Sequence, residues 1–282
     1  MRKIFLIALL CLAITQLQAQ NSVVCKIKYL PNHTYQTATN LTMKILVNMN
    51  GNKEMIDKLS SQGITMPLNL DVKLALDGNL KSGSVGADNS FPLNMTYKIN
   101  QLSIQANGKD IPMPANIEGK SFRIAAHSTQ DGVLKVDSVD GKTARDSALK
   151  NNEQMMNMLR NAVKFPDRPL KAGDTFTIGS PITIPVKGNN AKLDFKVIYK
   201  LVSIADGKAN FDIIQNLNMS FQMKKVNVSL SGTGNGKMAY SIKDNMPLNT
   251  GSDFNMKIKV VVDTLNVDGT ATMNVGTTSV IN

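Results

Sequence analysis

The sequence predicts a mostly β protein: two duplicated antiparallel β units of long curved strands, half-barrel-like in form, with a linking amphipathic helix. Apolar and polar residues alternate over long stretches, Asp-Gly turns separate several of those stretches, and one stretch recurs later in the chain. With 42% hydrophobic and 19% charged residues, the 282-residue chain is too apolar to be disordered and is long enough for one or two packed domains.

Residues 1–19 have the pattern of a secretory signal peptide. Arg2 and Lys3 form a short basic region, residues 4–14 are apolar, and a polar stretch ends at Ala19. This apolar run is shorter than the roughly 20 residues that cross a bilayer, and polar residues interrupt every later run. We therefore expect an exported protein without a transmembrane segment, located in the periplasm or at the cell surface.

The two cysteines do not indicate a lipid anchor or a disulfide. A lipobox needs a small residue before the modified cysteine, whereas Leu10 precedes Cys11 and Val24 precedes Cys25. We expect a soluble exported protein and keep a lipid anchor as the alternative. Signal cleavage leaves Cys25 alone, and apolar neighbours raise the pKa of a thiol, so we expect this cysteine to be inert.

The charge pattern argues against a nucleic-acid partner. Removing the signal peptide leaves 30 basic and 21 acidic residues, a net charge of +9. Most basic residues are scattered lysines and the chain has no Trp, whereas nucleic-acid readers concentrate arginine and stacking aromatics. Lysines of this kind keep exposed strand faces soluble and blunt sheet edges.

Ala209–Met223 is the clearest strand, because its odd positions are apolar and its even positions are mostly polar. The alternation changes phase at Lys224–Lys225, which predicts a turn or a bulge there. The same reasoning predicts strands at 34–49, 68–80, 84–99, 102–107, 117–127, 132–139, 173–186, 191–204, 208–223, 226–231, 236–243, 253–265 and 267–280. Turns are predicted at Asp131–Gly132, Asp140–Gly141, Asp206–Gly207, Asp268–Gly269 and Gly232–Gly236.

One stretch of the chain recurs 124 residues later. Leu93–Gly108 and Leu217–Gly232 share Leu-Asn-Met, an aromatic residue and the change of phase, which falls at Asn100–Gln101 in the first copy. Upstream turns match at the same offset: Ser82–Gly83 and Asp206–Gly207. We interpret the match as a duplication; the alternative is that two unrelated strands converged on a similar composition. The predicted division is a signal peptide at 1–19, a first β unit at 26–142, a linking helix at 143–164 and a second β unit at 166–282.

Two helices interrupt the predicted strands. Residues 52–62 place apolar side chains on one side before Gly63, a residue typical of helix C-termini. Residues 143–164 carry a longer apolar stripe and end at Phe165–Pro166. We expect this second helix to pack across a sheet or to cover the seam between the units.

The sequence offers no catalytic or metal-binding constellation. His33 and His127 are the only histidines, and neither has the partners that would make a metal site or a nucleophile–base pair. Gly232–Gly236 has closely spaced glycines but lacks the Lys-Ser/Thr that completes a phosphate-binding loop. We predict no enzyme activity, no cofactor and no metal; the alternative is a hydrolase whose cleft holds two carboxylates.

Methionine is the one unusual feature of the composition. Fifteen methionines follow Met1, and several fall on strand faces predicted to point inward. Because Met side chains adapt to varied apolar partners, they predict a deformable groove for an acyl chain or similar ligand. The predicted lining residues are Met95, Tyr97, Ile99, Met219, Phe221 and Met223. The alternative is an ordinary β core in which Met takes the place of Leu.

Two segments resemble those of a family of exported Bacteroidota proteins of unknown function. Phe165–Phe176 (FPDRPLKAGDTF) is similar to the Pro-x-x-Pro segment that opens the β-rich second half of those proteins, and residues 131–141 are similar to their recurrent Asp-Gly strand segment. Three triplets resemble the O-glycosylation site of such proteins: Asp137-Ser-Val, Asp146-Ser-Ala and Asp263-Thr-Leu. The resemblance supplies no catalytic residue. At the level of fold alone, long curved strands with a central helix are also similar to periplasmic lipid and lipoprotein carriers.

These patterns predict an exported, non-catalytic binding protein of the bacterial cell envelope, with a lipid or another apolar molecule as its ligand. The alternative is a structural or partner-binding surface protein with a solid core. Its envelope protein partner would meet an exposed apolar patch or a strand edge, which we expect near Cys25.

Overall fold

The structure is a computed structural model, and it describes residues 22–51, 53–61, 65–112, 119, 121–128, 134–139, 142–143, 164–186, 189–223 and 226–282. Long strands dominate this part of the chain. Its elements, in chain order, are β1 (Thr34–Asn50), α1 (Lys53–Ser61), β2 (Leu68–Ser82), β3 (Phe91–Ala106), β4 (Lys109–Asp110), β5 (Ser121–Ser128), β6 (Leu134–Val139), β7 (Lys142–Thr143), β8 (Thr175–Val186), β9 (Asn189–Ala205), β10 (Lys208–Met223), β11 (Val226–Ser241), β12 (Met246–Val262) and β13 (Leu265–Ile281).

The strands described form one antiparallel sheet. Its order is β7–β6–β5–β3–β2–β1–β13–β12–β11–β10–β9–β8, and the short β4 pairs with β3 beside this path. Strands that follow one another in the chain are mostly neighbours in the sheet, as short connections favour. By contrast, β3 also pairs with β5, and the consecutive strands β7 and β8 are at opposite edges of the sheet. The pairing of longest range joins β1 to β13 along sixteen residue pairs. The first and last long strands therefore join the two halves of the sheet.

Tight turns close some hairpins where the sequence predicts them. Asp206 and Gly207 have φ of 51° and 71°, the left-handed values that a type I′ turn needs, so this predicted turn is confirmed. The turn predicted at Asp268–Gly269 is wrong, because both residues lie inside β13. An Asp on the polar face followed by a Gly on the apolar face also fits an alternating strand, and the dipeptide alone does not separate the two cases.

The turn predicted at Gly232–Gly236 is also wrong, because this segment lies inside β11. A Cβ on Gly232 would lie 2.7 Å from the ring of Phe254 in β12, and one on Gly234 would lie closer still. These glycines therefore let an aromatic ring from the neighbouring strand lie against the β11 backbone.

One face of the sheet, here called the inner face, carries no charged side chain among those that the structure describes on its long strands. Directly paired residues share a face, and Tyr35 of β1 pairs with Leu80 of β2 and Ile281 of β13. Alternate residues of β1 from Tyr35 onward share this face, whereas Lys44 is on the outer face. The pairing registers extend this assignment to β2, β3 and β8–β13. Among the side chains that the structure describes on these strands and β1, no Asp, Glu, Lys, Arg or His is on the inner face.

The inner face is buried at one end of the sheet and half-buried at the other. At the near end, where β1 begins and β13 ends, two clusters are buried. The first cluster comprises Val23, Cys25, Phe165, Leu170, Val197, Tyr199, Leu201, Ala209, Phe211, Ile213, Met238 and Tyr240. The second comprises Tyr35, Leu80, Phe91, Leu93, Met95, Ile124 and Ala126. Toward the far end, where β1 ends, the inner-face residues of β1 from Leu41 to Met49 are half-buried.

Residues 22–33, the strap, cross the near end of the inner face. The Lys26 N–H donates to the Tyr240 hydroxyl at 3.0 Å, and that hydroxyl donates to the Lys26 carbonyl at 2.6 Å. Further along the strap, the Leu30 N–H donates to the Tyr35 hydroxyl at 2.6 Å. Because Tyr240 is in β11 and Tyr35 is in β1, the strap connects the two clusters and covers the near end between them.

The two segments that match in sequence occupy different places in the sheet. Leu93–Gly108 lies in β3 and the turn that follows, whereas Leu217–Gly232 covers the end of β10 and the start of β11. At Asn100–Gln101 the pairing of β3 shifts register within a continuous strand, so the change of phase is a bulge there. The first segment lies between β2 and β5 in the sheet, and the β10 part of the second lies between β9 and β11. The duplication, the unit boundaries and the half-barrel form remain predictions.

The helix predicted at 52–62 is confirmed by α1. The linking helix predicted at 143–164 lies outside the described residues, apart from Thr143 in β7 and Lys164, as do the signal peptide and the turns predicted at Asp131–Gly132 and Asp140–Gly141. Within the described ranges, no helix has both the length and the hydropathy that a membrane crossing requires.

Candidate ligand-binding face

The centre of the inner face is an apolar row that crosses the sheet. Met43 in β1 pairs directly with Met273 in β13 and with Val72 in β2. Met273 pairs in turn with Phe254 in β12, and Val72 pairs with Ile104 in β3. Side chains in such pairs have Cβ atoms about 4.5–5.5 Å apart, so five adjacent strands supply one continuous apolar row.

Further apolar rows follow this one toward the far end of the sheet. They run through Ala106, Leu70, Ile45, Ala271 and Met256, then through Leu68, Val47, Gly269, Ile258 and Leu230, and then through Met49, Val267, Val260 and Val228. Most of these side chains are half-buried. A contiguous apolar surface of this extent is typical of a ligand-binding or interaction surface rather than of a plain solvent-exposed face.

A belt of uncharged polar side chains separates these rows from the near-end clusters. The belt comprises Tyr97, Thr37, Ser279, Thr39, Thr277, Thr250, Ser252 and Gln215. The Thr39 and Thr277 hydroxyls are 3.0 Å apart. The Ser252 hydroxyl donates to Gln215 Oε1 at 2.9 Å, passing over β11 where its glycines leave room. The belt thus offers hydrogen-bonding groups without a formal charge.

A cavity of about 80 Å³ lies where the belt meets the second cluster. Its lining residues are Tyr29, Tyr35, Thr37, Gly78, Asn79, Leu80, Tyr97, Met246 and Ser279. Gly78 makes room for it, because a Cβ there would lie 3.1 Å from the Tyr97 ring and would overlap the Thr37 hydroxyl. The Tyr29 and Tyr35 rings meet edge to face, with centroids 5.3 Å apart. The cavity is therefore aromatic and rich in hydroxyls.

The three tyrosines of the cavity are neutral at physiological pH. Burial raises the pKa of Tyr29 to about 12, and it also raises the pKa of Tyr35 and of Tyr97. Tyr35 already accepts the Leu30 N–H, whereas the Tyr97 hydroxyl makes a long contact with Met95 Sδ at 4.0 Å. A sulfur acceptor at that distance is weak, so the Tyr97 hydroxyl keeps most of its capacity to bond elsewhere.

The predicted lining residues fall into two groups at opposite ends of the inner face. Met95, Tyr97 and Ile99 are in β3; Met219 and Phe221 are toward the far end of β10, where Met223 is the last residue. Through the registers, Met95 is level with Tyr35 of β1 and Met219 is level with Val47. Twelve residues along a strand are about 40 Å, so the structure does not bring the two groups together.

Only the first of these groups contributes to the cavity. Met95 is buried in the second cluster, and Tyr97 lines the cavity beside it. The sequence reasoning missed the central residues of the face, above all Met43, Met273 and Phe254. A usable signal was present in β1, where Thr37 and Thr39 interrupt an otherwise apolar series of odd positions. The pairing of β1 with β13 could not be predicted from the sequence of either strand alone.

The two histidines lie on opposite sides of the sheet: His33 ends the strap, with its ring centroid 6.3 Å from that of Tyr35, and His127 is on the outer face. The His33 ring donates through Nδ1 to the Pro31 carbonyl at 2.7 Å. His127 Nδ1 is 2.8 Å from Asp137 Oδ1 on the outer face, a hydrogen-bonded pair that the sequence reasoning missed. Among the residues described, no three His, Cys, Asp or Glu side chains converge as a metal site would need. The absence of enzyme activity, metal and cofactor remains a prediction.

Two buried weak acids hold the strap in place: the Cys25 thiol in the strap itself and the Tyr240 hydroxyl of β11, which bonds to it. Cys25 is 1% exposed, and burial raises the pKa of its thiol from 9.0 to about 12. Burial likewise raises the pKa of Tyr240 from 10.0 to about 12. A thiol that stays protonated is a poor nucleophile, which supports the prediction that Cys25 is inert.

These shifts predict a loss of stability at high pH. Above pH 9 to 10 the unfolded chain releases the Cys25 and Tyr240 protons that the folded chain retains, so stability is complete below this range and falls as pH rises toward about 12. Urea unfolding at pH 8 and at pH 11 measures the change. Cys25→Ala and Tyr240→Phe should each make the decline shallower than in the parent; an unchanged slope in both would contradict the assignment.

The chain was compared with known proteins by sequence family and by structure. No family model matches it, and no curated protein matches it in sequence. Among solved structures, Pseudomonas aeruginosa OpdL aligns at 6% identity over 88% of this chain and 99% of its own, with a TM-score of 0.25. The β domain of the Bordetella autotransporter BrkA aligns at 6% identity over 86% and 98%, with a TM-score of 0.18.

An exported protein of Bacteroides fragilis with a YmcC-like fold aligns at 8% identity over 86% of this chain and 98% of its own, with a TM-score of 0.18. TM-scores this low fall short of a shared fold, so these likenesses assign neither a family nor a function to this chain. The resemblance to exported Bacteroidota proteins remains a prediction from the sequence.

Proposed function

We propose that this chain is an exported, non-catalytic binding protein of the bacterial cell envelope that holds a lipid or another apolar ligand against its inner face. The observation that supports this proposal is the inner face, which is continuous over nine long strands and has no charge among its described side chains. The strap covers its near end, and its far end is half-buried. An acyl chain laid along the apolar rows would gain about 0.8 kcal/mol for each CH₂ removed from water.

The methionines of this face suit a ligand of variable shape. Met43, Met49, Met256 and Met273 are on its central strands, and all four are half-buried. Unbranched, polarisable side chains fill irregular gaps and repack around different chains. The signal-peptide pattern of residues 1–19 supports an envelope location, either in the periplasm or at the cell surface.

Native mass spectrometry of protein purified from envelopes without detergent tests this function, together with titration of the apolar dye N-phenyl-1-naphthylamine. We expect a lipid-sized adduct in the spectrum and saturable dye fluorescence that added lipid competes away. Protein free of any adduct that also fails to bind the dye would contradict the proposal.

A partner-binding protein with a solid core is the second candidate, and the strap supplies an observation in its favour. Val24 and Ile27 flank buried Cys25 and are 44% and 38% exposed. This pair matches the exposed apolar patch that the second hypothesis predicts near Cys25. Crosslinking in intact envelopes should capture one specific partner that a Val24→Glu, Ile27→Glu variant loses; a monomer with no crosslinked partner would count against this candidate.

A further inference from the structure

The geometry points to the ligand class: we infer that the belt and its cavity bind the uncharged hydrogen-bonding group of a neutral acyl lipid, such as the glycerol ester of a monoacylglycerol. The acyl chain would then lie along the apolar rows toward the far end. This inference rests on the proposed function and makes it specific. Three features of the face support it: the absence of charge on its described strand residues, the unused hydrogen-bonding capacity of the belt, and the length of the rows.

The absence of charge selects against an ionised group. A carboxylate or ammonium moved from water onto the apolar rows would find no counter-ion on the long strands, because their charged residues are on the outer face wherever the structure describes their side chains. An unpaired charge in an apolar site is far more costly than an uncharged polar group that finds hydrogen bonds. The face therefore favours hydroxyl, ester or amide groups over ionised ones.

The belt has hydrogen-bonding capacity that the protein leaves unused. Within the described part of the chain, the Gln215 side chain accepts from Ser252 and its amide nitrogen donates to nothing. The Thr39 and Thr277 hydroxyls share one bond between two groups, each of which can donate once and accept twice. Among the described residues, the Tyr97 hydroxyl has only its long contact with Met95 sulfur. A neutral polyol or ester would supply the missing partners at several points along the belt.

The apolar rows extend over a distance longer than a single acyl chain. From Leu41, next to the belt, to Met49 at the far end there are eight residues along β1, or about 26 Å of strand. One leaflet of a bilayer core is roughly 15 Å thick, so a single chain fits between the belt and the far end. The cavity of about 80 Å³ at the end of the belt accommodates a small group rather than a large headgroup.

Competition between lipids of equal chain length tests the inference. Monopalmitoylglycerol and palmitate are each titrated against bound N-phenyl-1-naphthylamine at pH 8, where palmitate is ionised. We expect monopalmitoylglycerol to displace the dye at a concentration at least ~10-fold lower, because the carboxylate has no counter-ion on the face. In the Tyr97→Phe and Thr39→Val variants this preference, taken as the ratio of the two displacing concentrations within each variant, should fall about 3-fold or more. Thr42→Val, on the outer face of the same strand, is the matched control.

The outcomes separate the two proposals. Equal displacement by both lipids, with the dye bound normally, overturns the inference about the neutral group and leaves the apolar binding function standing. A stronger effect of palmitate overturns it as well. Failure of the wild-type protein to bind the dye overturns the proposed function itself, and the inference falls with it.

Discussion

Replacing Met43 with lysine is expected to weaken binding of an apolar dye by at least ~10-fold, because the ammonium would meet the ligand in the middle of an uncharged face. Met43 is on the central strand β1, paired with Met273 on one side and Val72 on the other. The far end of β1 is seven residues away, about 23 Å, which is beyond the reach of a lysine side chain. The measurement is dye titration followed by lipid competition.

Two matched variants distinguish a loss of ligand binding on the central rows from a loss of the folded structure. Thr42→Lys adds the same charge one residue away on the exposed outer face, and it should leave dye affinity within about 2-fold of the parent. Met43→Leu keeps an apolar side chain of similar volume and should also bind normally. If Met43→Lys binds the dye as tightly as Thr42→Lys does, the ligand does not lie on the central rows.

Much of the strand content was predictable, because alternation with period two is a local signal. The prediction 208–223 coincides with β10, and 34–49 differs from β1 by a single residue at its end. Local pattern fails where a strand continues through an irregularity. The predicted strands 84–99 and 102–107 are the single strand β3, which begins at Phe91 and passes a bulge after Ile99.

The candidate site was less predictable, because it depends on which strands become neighbours. Met43 and Met273 are 230 residues apart in sequence and adjacent in the sheet, and neither strand's pattern specifies its partner. The predicted lining residues were chosen on the premise that β3 and β10 correspond. Both do present apolar residues to the inner face, yet five other strands lie between them. Sequence therefore predicted the face but not the arrangement of residues on it.

The second large expected effect is a difference in stability between variants of Leu93 and Leu217. These two leucines occupy the same position in the two segments that match in sequence. Leu93 is 0% exposed in the second cluster, where β2, β3 and β5 pack under the strap. Leu217 is half-buried on the more open part of the inner face. Leu93→Ala removes packed methyl groups from an enclosed site and should cost about 3–4 kcal/mol of unfolding free energy. Leu217→Ala should cost about 1 kcal/mol, because its side chain has less surrounding structure to lose.

Urea unfolding of both variants beside the parent measures the difference, with Leu217→Ala serving as the control for loss of an inner-face leucine. Equal losses of unfolding free energy would mean that the two leucines have equivalent surroundings, and this would restore the duplication that the strand arrangement leaves unsupported. Unequal losses have a functional consequence as well. They would show that the near end stabilises the fold, whereas side chains at the far end remain free to rearrange. A ligand can then bind at the far end without unfolding the protein.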